Sequence, residues 1–471
     1  MTELLIEHPP THEPERRYIY DVMFREFLGI IYQARLGADP DATVISVCGD
    51  PGAKRLVVHE GLFSISPDQW LTGDSLPRQP LGRWMLPDVF SDSPKVSSEI
   101  PVIYGERIAQ DSYYAECDGD IQLGLDIFGS AFFMLTRYEE VVKSDRDEHD
   151  RFPATASLAY QEGFLERPII NEYLEILWTC MKRLWPGLRR RQRQYRVMPS
   201  HDVDRPLAVA GEPLGVVLRG CAGDLIARRD FDLALRRVHS WGRSLKGDFA
   251  VDPINTFDFI MRLSEAIEVT SAFYLMATEA KTDFDRAYST GHPWMRRLMC
   301  SIVERGHEIG FHGSYYSYND AEKTRREVTL LRKVLAEEGI ADSTLGGRQH
   351  YLRWQCPVTW EIWNDIGLTY DSTLTFARHV GFRCGICYEY PTFSVLSRRQ
   401  MQLVERPLVI MDVALHNQRY EKIKRNGVCD RALELSHACK IFNGDFTILW
   451  HNSNLAARWQ KDLYQGILSN V

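Results

Sequence analysis

From Tyr195 onward, short apolar runs rich in β-branched and aromatic residues alternate with amphipathic segments of helical period, and this alternation constrains the chain more than any other feature. The strand-like runs are 195–198, 270–276, 307–312, 343–348, 407–415 and 445–450, with 407–415 the longest. Between them, 255–266, 292–304, 321–338, 359–364 and 430–442 space their apolar residues as helices do, and Gly306 and Gly339 stand where helix C-caps belong. Strands separated by helices of this length wind as right-handed βαβ units, so the expected core is a parallel sheet or barrel.

A chain of 471 residues is too long for one ordinary core, and two domains are expected. The boundary falls at the basic run 188–196, which follows a helix at 171–185 stopped by Pro186-Gly187. That run reads as a solvated linker, with a phosphate-binding patch as the alternative. Residues 1–194 then form a separate α/β domain, with helices at 21–32, 126–142 and 171–185, strands at 43–48, 55–59 and 100–104, and an acidic loop at 145–150. This half carries no chemical signature; residues 195–471 are the second domain.

Composition removes several classes of function. A net charge of −8 without a broad basic excess argues against nucleic acid as the main partner. No run of 18 apolar residues is present, so no membrane span is expected. The first ten residues are acidic and lack a sustained apolar stretch, unlike a signal or transit peptide. Ten scattered cysteines fit reduced thiols and a cytoplasmic protein. Cys384 and Cys387 form a single C-x-x-C, read as a turn with two idle thiols rather than as a zinc site.

The chemistry-bearing residues gather where strands end. The first strand runs into Ser200-His201-Asp202-Val203-Asp204; the run at 307–312 ends in His312; the one at 343–348 ends in Arg348-Gln-His350-Tyr351-Leu-Arg353; the last ends at His451-Asn452. Asp202 and Asp204 share a face if the strand continues, and two adjacent carboxylates do not both ionise freely unless a cation lies between them. Taken alone, the pair reads equally as a metal-and-base arrangement or as a polar strand end entering a turn. Ionisable groups at the ends of several parallel strands converge on one cleft, and carboxylate with imidazole suits metal-assisted hydrolysis.

These stretches resemble, in order, the motifs of the polysaccharide deacetylases (NodB-homology proteins). Ser200–Asp204 is similar to the first motif, in its Asp-x-Asp form. His307-Glu-Ile-Gly-Phe-His312 is similar to the second. Arg348-Gln-His-Tyr351 matches the Arg-Pro-Pro-Tyr loop at its Arg and Tyr, and Ile448-Leu-Trp-His451 resembles the closing Leu-x-x-His-like motif. The resemblance spans roughly residues 195–455. It implies an α/β fold whose second domain is a distorted seven-stranded (β/α) barrel of NodB-homology type. It further implies Asp202 as general base, Asp204 and His312 as ligands of a divalent metal ion (zinc foremost, other transition metals next), Arg348 steering the base, and His451 as general acid. One departure stands out. The family's second His ligand, four residues after the first, is here Tyr316, which leaves His350 as a candidate third ligand, His416-Asn417 as a reserve, or loss of the metal. Tyr351, Tyr316 and Arg353 are the expected substrate-binding residues. Segment 370–387 is expected as a substrate-side loop that contains the Cys pair. The nearby aromatics Phe376, Phe382, Tyr388 and Tyr390 are expected in packing rather than on sugar rings.

The function expected on these grounds is a metal-dependent hydrolase that removes an acetyl group from an acetylated sugar or oligosaccharide precursor. The alternatives are a catalytically silent glycan-binding or scaffold barrel, and an amide hydrolase for a non-sugar substrate such as a ureide or cyclic amide. Oligomerisation through the N-terminal domain is left open.

Overall fold

The computed structural model describes the chain apart from residues 1–2, 50–51, 53, 91–95, 110–111, 211, 228, 279–280, 287, 342–343 and 417–426. Eight strands precede residue 190: β1 (Leu4–His8), β2 (Tyr32–Leu36), β3 (Ala42–Val47), β4 (Leu56–His59), β5 (Gly82–Met85), β6 (Glu99–Val102), β7 (Tyr114–Cys117) and β8 (Asp120–Leu123). Six of them form a mixed sheet in the order β2-β1-β3-β4-β8-β7, while β5 and β6 pair by themselves. Helix Ile127–Leu135 is apolar on every side and wholly buried. Its first turn is capped by Asp126, which accepts from Gly129 N at 2.7 Å and from the amides of Gly61 and Leu62 at 2.9 Å. The helix expected over 126–142 is broken into two, because Arg137 takes a left-handed backbone (φ 55°) and turns its buried guanidinium onto Glu139 and Glu140.

The second sheet is built from β9 (Arg196–Val203), β10 (Ala272–Met276), β11 (Glu308–Gly313), β12 (Gly347–Gln349), β13 (Tyr370–Asp371), β14 (Tyr390–Ser394), β15 (Arg399–Glu405), β16 (Ile410–Met411) and β17 (Asp445–Leu449). Its order is β14-β15-β13-β12-β11-β10-β9-β17-β16. Every neighbouring pair is parallel except β14 with β15. Helices Phe257–Ala266, Pro293–Glu304, Ala321–Glu337, Val358–Ile366 and Val428–Ile441 connect consecutive parallel strands as the periodicity anticipates. The expected seven strands are nine, and among the described residues the edges β14 and β16 do not pair to close a barrel.

One element changes type. The apolar run 407–415 is strand only at Ile410–Met411 and then turns into helix Asp412–His416. A run that is apolar at nearly every position lacks the periodicity that separates a strand from a buried helix, and the parallel partner of β16 offers only Ile448 and Leu449.

Between β9 and helix Phe257–Ala266 the chain inserts a pair of packed helices, Leu214–Ile226 and Phe231–Ser244, which have a small core of their own around Ala208, Val209, Val217, Cys221, Ala234 and Ile254. A large continuous apolar cluster, beside a third, small one of Ala272, Tyr274 and Tyr370, runs through both sheets. Buried polar groups cross between them too: Arg383 binds Glu140, Arg137 donates to Arg383 O, and Cys387 N donates to Asn171 Oδ1 at 3.0 Å. No helix among the described residues is long and apolar enough to cross a membrane.

Candidate metal centre and its cleft

Parallel winding brings the C-terminal ends of β9, β11, β12, β16 and β17 to one edge, and the ionisable strand ends meet there. Asp204 lies just past β9 with its side chain a third exposed, whereas His312 on β11 is fully buried. Asp204 Oδ1 is 3.0 Å from His312 Nε2 and 3.5 Å from His350 Nε2, and its Oδ2 is 3.6 Å from His451 Nε2. Asp204, His312 and His350 each bring one ligand atom within 4.8 Å of the others, the one such group of three or more His, Cys, Asp or Glu among the described residues.

The donor set fits a cation. His312 Nδ1 is 2.9 Å from the carbonyl of Arg348, and His350 Nδ1 is 2.9 Å from Asp285 Oδ1. Carbonyl and carboxylate oxygens only accept, so both rings donate through Nδ1. In a neutral ring Nε2 is then a lone pair, and two such lone pairs converge on a carboxylate. Only a proton or a metal ion reconciles three acceptors at that spacing, and a metal-ligating His commonly ties its other nitrogen to a carbonyl or carboxylate in this way. Without a metal ion, a proton takes that place on His350. Burial opposes charge on His350, but Asp204 and Asp285 outweigh it and raise the imidazole to about 9. Burial alone would raise Asp204; His350 and His451 instead hold it well below the ordinary carboxylate range.

Asp202, the other acid of the pair, is buried and held by Arg348 Nη1 at 2.7 Å. Arg348 is itself fixed: Nε donates to Ser372 O at 2.7 Å, Nη2 to Ser200 Oγ and Ser372 Oγ at 3.0 Å, and the guanidinium stacks over Tyr274 at 4.8 Å. Gly310 makes room for that ring, since a Cβ there would lie 2.4 Å from Tyr274. Asp202 Oδ2 is 3.9 Å from His312 Nε2, at the margin of the ligand group rather than within it.

His451, just after β17, approaches from the opposite side. Asp412 Oδ1 accepts from its Nδ1 at 2.8 Å, while Oδ2 accepts from the His451 amide at 2.8 Å and from Asn454 Nδ2 at 2.9 Å. Burial opposes the positive ring, but Asp412 and Asp204 raise it to about 10, so it carries two protons at neutral pH.

A cleft of about 430 Å³ opens over Asp202, Asp204, His350, Tyr351 and His451. Glu148, His149 and Arg151, from the acidic loop of the first half, supply part of its wall. Arg151 Nη1 donates to Tyr351 O at 2.9 Å, where Tyr351 (φ 60°) and Leu352 (φ 55°) are both left-handed. Two successive non-glycine residues in that region are strained, and the contact from the first half helps to hold them.

A family of unknown function (DUF7033) matches residues 4–186. No curated protein matches the chain. Among solved structures, a protein described as a polysaccharide deacetylase from Mycobacterium smegmatis shares 15% identity over 59% of this chain and 84% of its own, with a TM-score of 0.38. The Puue allantoinase shares 13% over 60% of this chain and 85% of its own, TM-score 0.36. A protein from Pseudomonas aeruginosa PAO1, also described as a polysaccharide deacetylase, shares 13% over 66% and 90%, TM-score 0.35. Likenesses this distant leave the chemistry to be argued from the site itself.

Several sequence expectations land elsewhere. Tyr316 does not line the cleft; it is half-exposed beside Tyr315 and Lys323, and His350 stands with Asp204 and His312 in its place. Arg353 is buried, donating to His149 O at 2.8 Å and Tyr315 O at 2.7 Å between the rings of Tyr315 and Tyr318, so it braces the loops behind the cleft instead of facing substrate. Tyr351 does line the cleft, its ring 4.7 Å from that of His350. Within segment 370–387, Ala377 and Arg378 reach the cleft, but Cys384 and Cys387 are buried free thiols away from it. Phe376, Phe382, Tyr388 and Tyr390 pack inside the core. The side chain of His416 and Asn417 lie outside the described residues.

Asp285 and Asp412 were not singled out in the sequence. Asp412 follows β16 at the same sheet edge as the others, so the strand-end rule picks it out once the strand stops at Met411. Asp285 sits in the irregular segment after β10, where nothing in the sequence marks it.

Proposed function

We propose that the chain is a metal-dependent hydrolase of an amide or ester, with the acetyl group of an acetylated sugar or glycan precursor as its substrate. On this reading residues 195–471 form an open barrel of NodB type that carries the chemistry, and residues 1–194, packed against it through a shared core, furnish one wall of the cleft. The observation that carries the proposal is the meeting of the His312 and His350 lone pairs on Asp204 with both Nδ1–H groups already committed. The order of the strand-end motifs supports the substrate class.

A divalent cation, zinc foremost, held by Asp204, His312 and His350 would supply Lewis-acid polarisation of the acyl carbonyl and acidify a water. Asp202 takes the proton of the attacking water, its carboxylate oriented by Arg348. His451, anchored through Nδ1–H on Asp412, gives the Nε2 proton to the departing nitrogen or oxygen as the bond to the acyl carbon breaks. The products are a carboxylic acid and a free amine or alcohol. Truncating Arg348 would leave the buried Asp202 charge uncompensated, a loss of about 3–5 kcal/mol.

The test is metal analysis of the purified protein together with acetate release from acetylated chitooligosaccharides. Stoichiometric metal with acetate release is expected, and Asp202→Asn should keep the metal while lowering turnover about a thousandfold. Loss of metal in that variant would reverse the assignment of base and ligand. Metal without acetate release would move the substrate to another amide class, and no metal under any loading condition would leave a silent barrel.

A further inference from the structure

The inserted helix pair has an outer surface that a water-facing element does not need. Of nineteen large apolar side chains exposed among the described residues, nine lie between Leu214 and Leu245. They are not scattered. Leu214, Leu218 and Leu225 follow one another at i, i+4 and i+11, and Phe231, Leu235, Val238 and Leu245 at i, i+4, i+7 and i+14, so each helix turns one continuous apolar stripe to solvent. On the first helix the stripe borders the buried row Val217, Cys221 and Asp224, and on the second it turns away from the buried Leu233 and Ser240. Exposed apolar area on this scale, on the order of several hundred Å², marks a docking surface.

Charge selects the occupant. Residues 214–249 hold seven Lys and Arg against four Asp, in a chain whose net charge is −8. Beside the pair opens a cleft of about 730 Å³, lined by Arg205, Arg219, Lys281 and Arg286 against Glu212 and Asp283, with Phe249 and Trp294 on its walls. Glu212 accepts from Arg205 at 2.8 Å and is 3.9 Å from Arg286, so one acid serves two cations there. Apolar stripes rimmed by Arg and Lys complement an anionic bilayer surface: the side chains enter the acyl boundary and the cations meet headgroup phosphates.

We propose that the helix pair 214–245 docks the protein onto anionic membrane surfaces, with the basic cleft beside it seating a lipid headgroup phosphate. Arg236 Nη2 donates to Ala456 O at 3.0 Å, five residues beyond His451, so the docked pair is tied directly to the loop that borders the candidate metal centre. The proposal does not depend on the hydrolase reading, and its readout is not activity.

Flotation of the full chain with vesicles tests it. Wild type should float with equimolar phosphatidylcholine and phosphatidylglycerol and remain behind with phosphatidylcholine alone. The triple variant Phe231→Ser/Leu235→Ser/Val238→Ser, in which only exposed side chains change, should lose binding about tenfold or more. Arg219→Gln/Lys246→Gln should weaken it at low salt and less at high salt. Unchanged thermal unfolding of both variants serves as the folding control. Failure of wild type to float, undiminished flotation of the triple variant, or a wild-type dimer that the triple variant dissolves, which would make a second copy of the chain the occupant, each overturns the proposal.

Discussion

His201 and His312 lie on the same sheet, both are fully buried, and both sit within hydrogen-bond distance of a carbonyl through Nδ1, His201 at 2.7 Å from Trp450 O and His312 at 2.9 Å from Arg348 O. The two rings part company only at Nε2. That of His201 meets the hydroxyls of Tyr464 at 3.3 Å and Ser271 at 3.4 Å, both able to donate. That of His312 meets a carboxylate, which cannot. One residue type in one tautomer is therefore a satisfied structural group among the aromatic rings of Phe273 and Tyr464, and an open ligand one face away. Strand alternation makes the choice: His201 and Asp202 are neighbours on β9, and period two sends them to opposite sides of the sheet.

The first way to sharpen this contrast is acid. Burial pushes His201 down to about 4 from an ordinary 6.5. A histidine with a depressed native pKa contributes stability that is present above 6.5 and is lost as pH falls through 4, here about 3 kcal/mol. Denaturant unfolding between those pH values should show wild type losing that amount, while His201→Gln, less stable at neutral pH, loses less over the same interval. Equal slopes would mean His201 is not the neutral group described. The next is Asp285→Asn, which replaces the carboxylate behind His350 without touching a ligand. Zinc affinity measured against a competing chelator should fall about 10- to 100-fold. An unchanged affinity would remove His350 from the ligand set. The smallest effect is expected from Tyr316→His. This restores the residue that the related motif carries, yet at a half-exposed position off the cleft, so zinc affinity should change less than about twofold. A large gain would show that the loop can swing inward.

Much of the second sheet was legible from period alone, since its connecting helices are amphipathic and long enough to register, and four strand ends carried residues that rarely end a strand by chance. The centre itself was only half legible. Asp204 and His312 follow from motif position, but His350 stood as one of several ways to complete the set, because its loop depends on two left-handed residues and a guanidinium about 200 positions earlier. Asp285 had no periodic context at all. Asp412 hid inside an apolar run where strand and buried helix look alike. The helix pair at 214–245 carried its signal in plain i, i+4, i+7 spacing, but an apolar stripe in a sequence says nothing about whether it turns inward or outward.

The grip of Arg151 on the Tyr351 carbonyl bears on how this protein can be dissected. The backbone turn that aims His350 at Asp204 is propped from a segment encoded in the first third of the chain. A fragment beginning at Tyr195 would keep every proposed ligand and base, yet would lack the prop that sets the angle of one of them. The two halves thus work as one instrument, and anyone transplanting the C-terminal half into another scaffold has to bring residues 147–151 along with it.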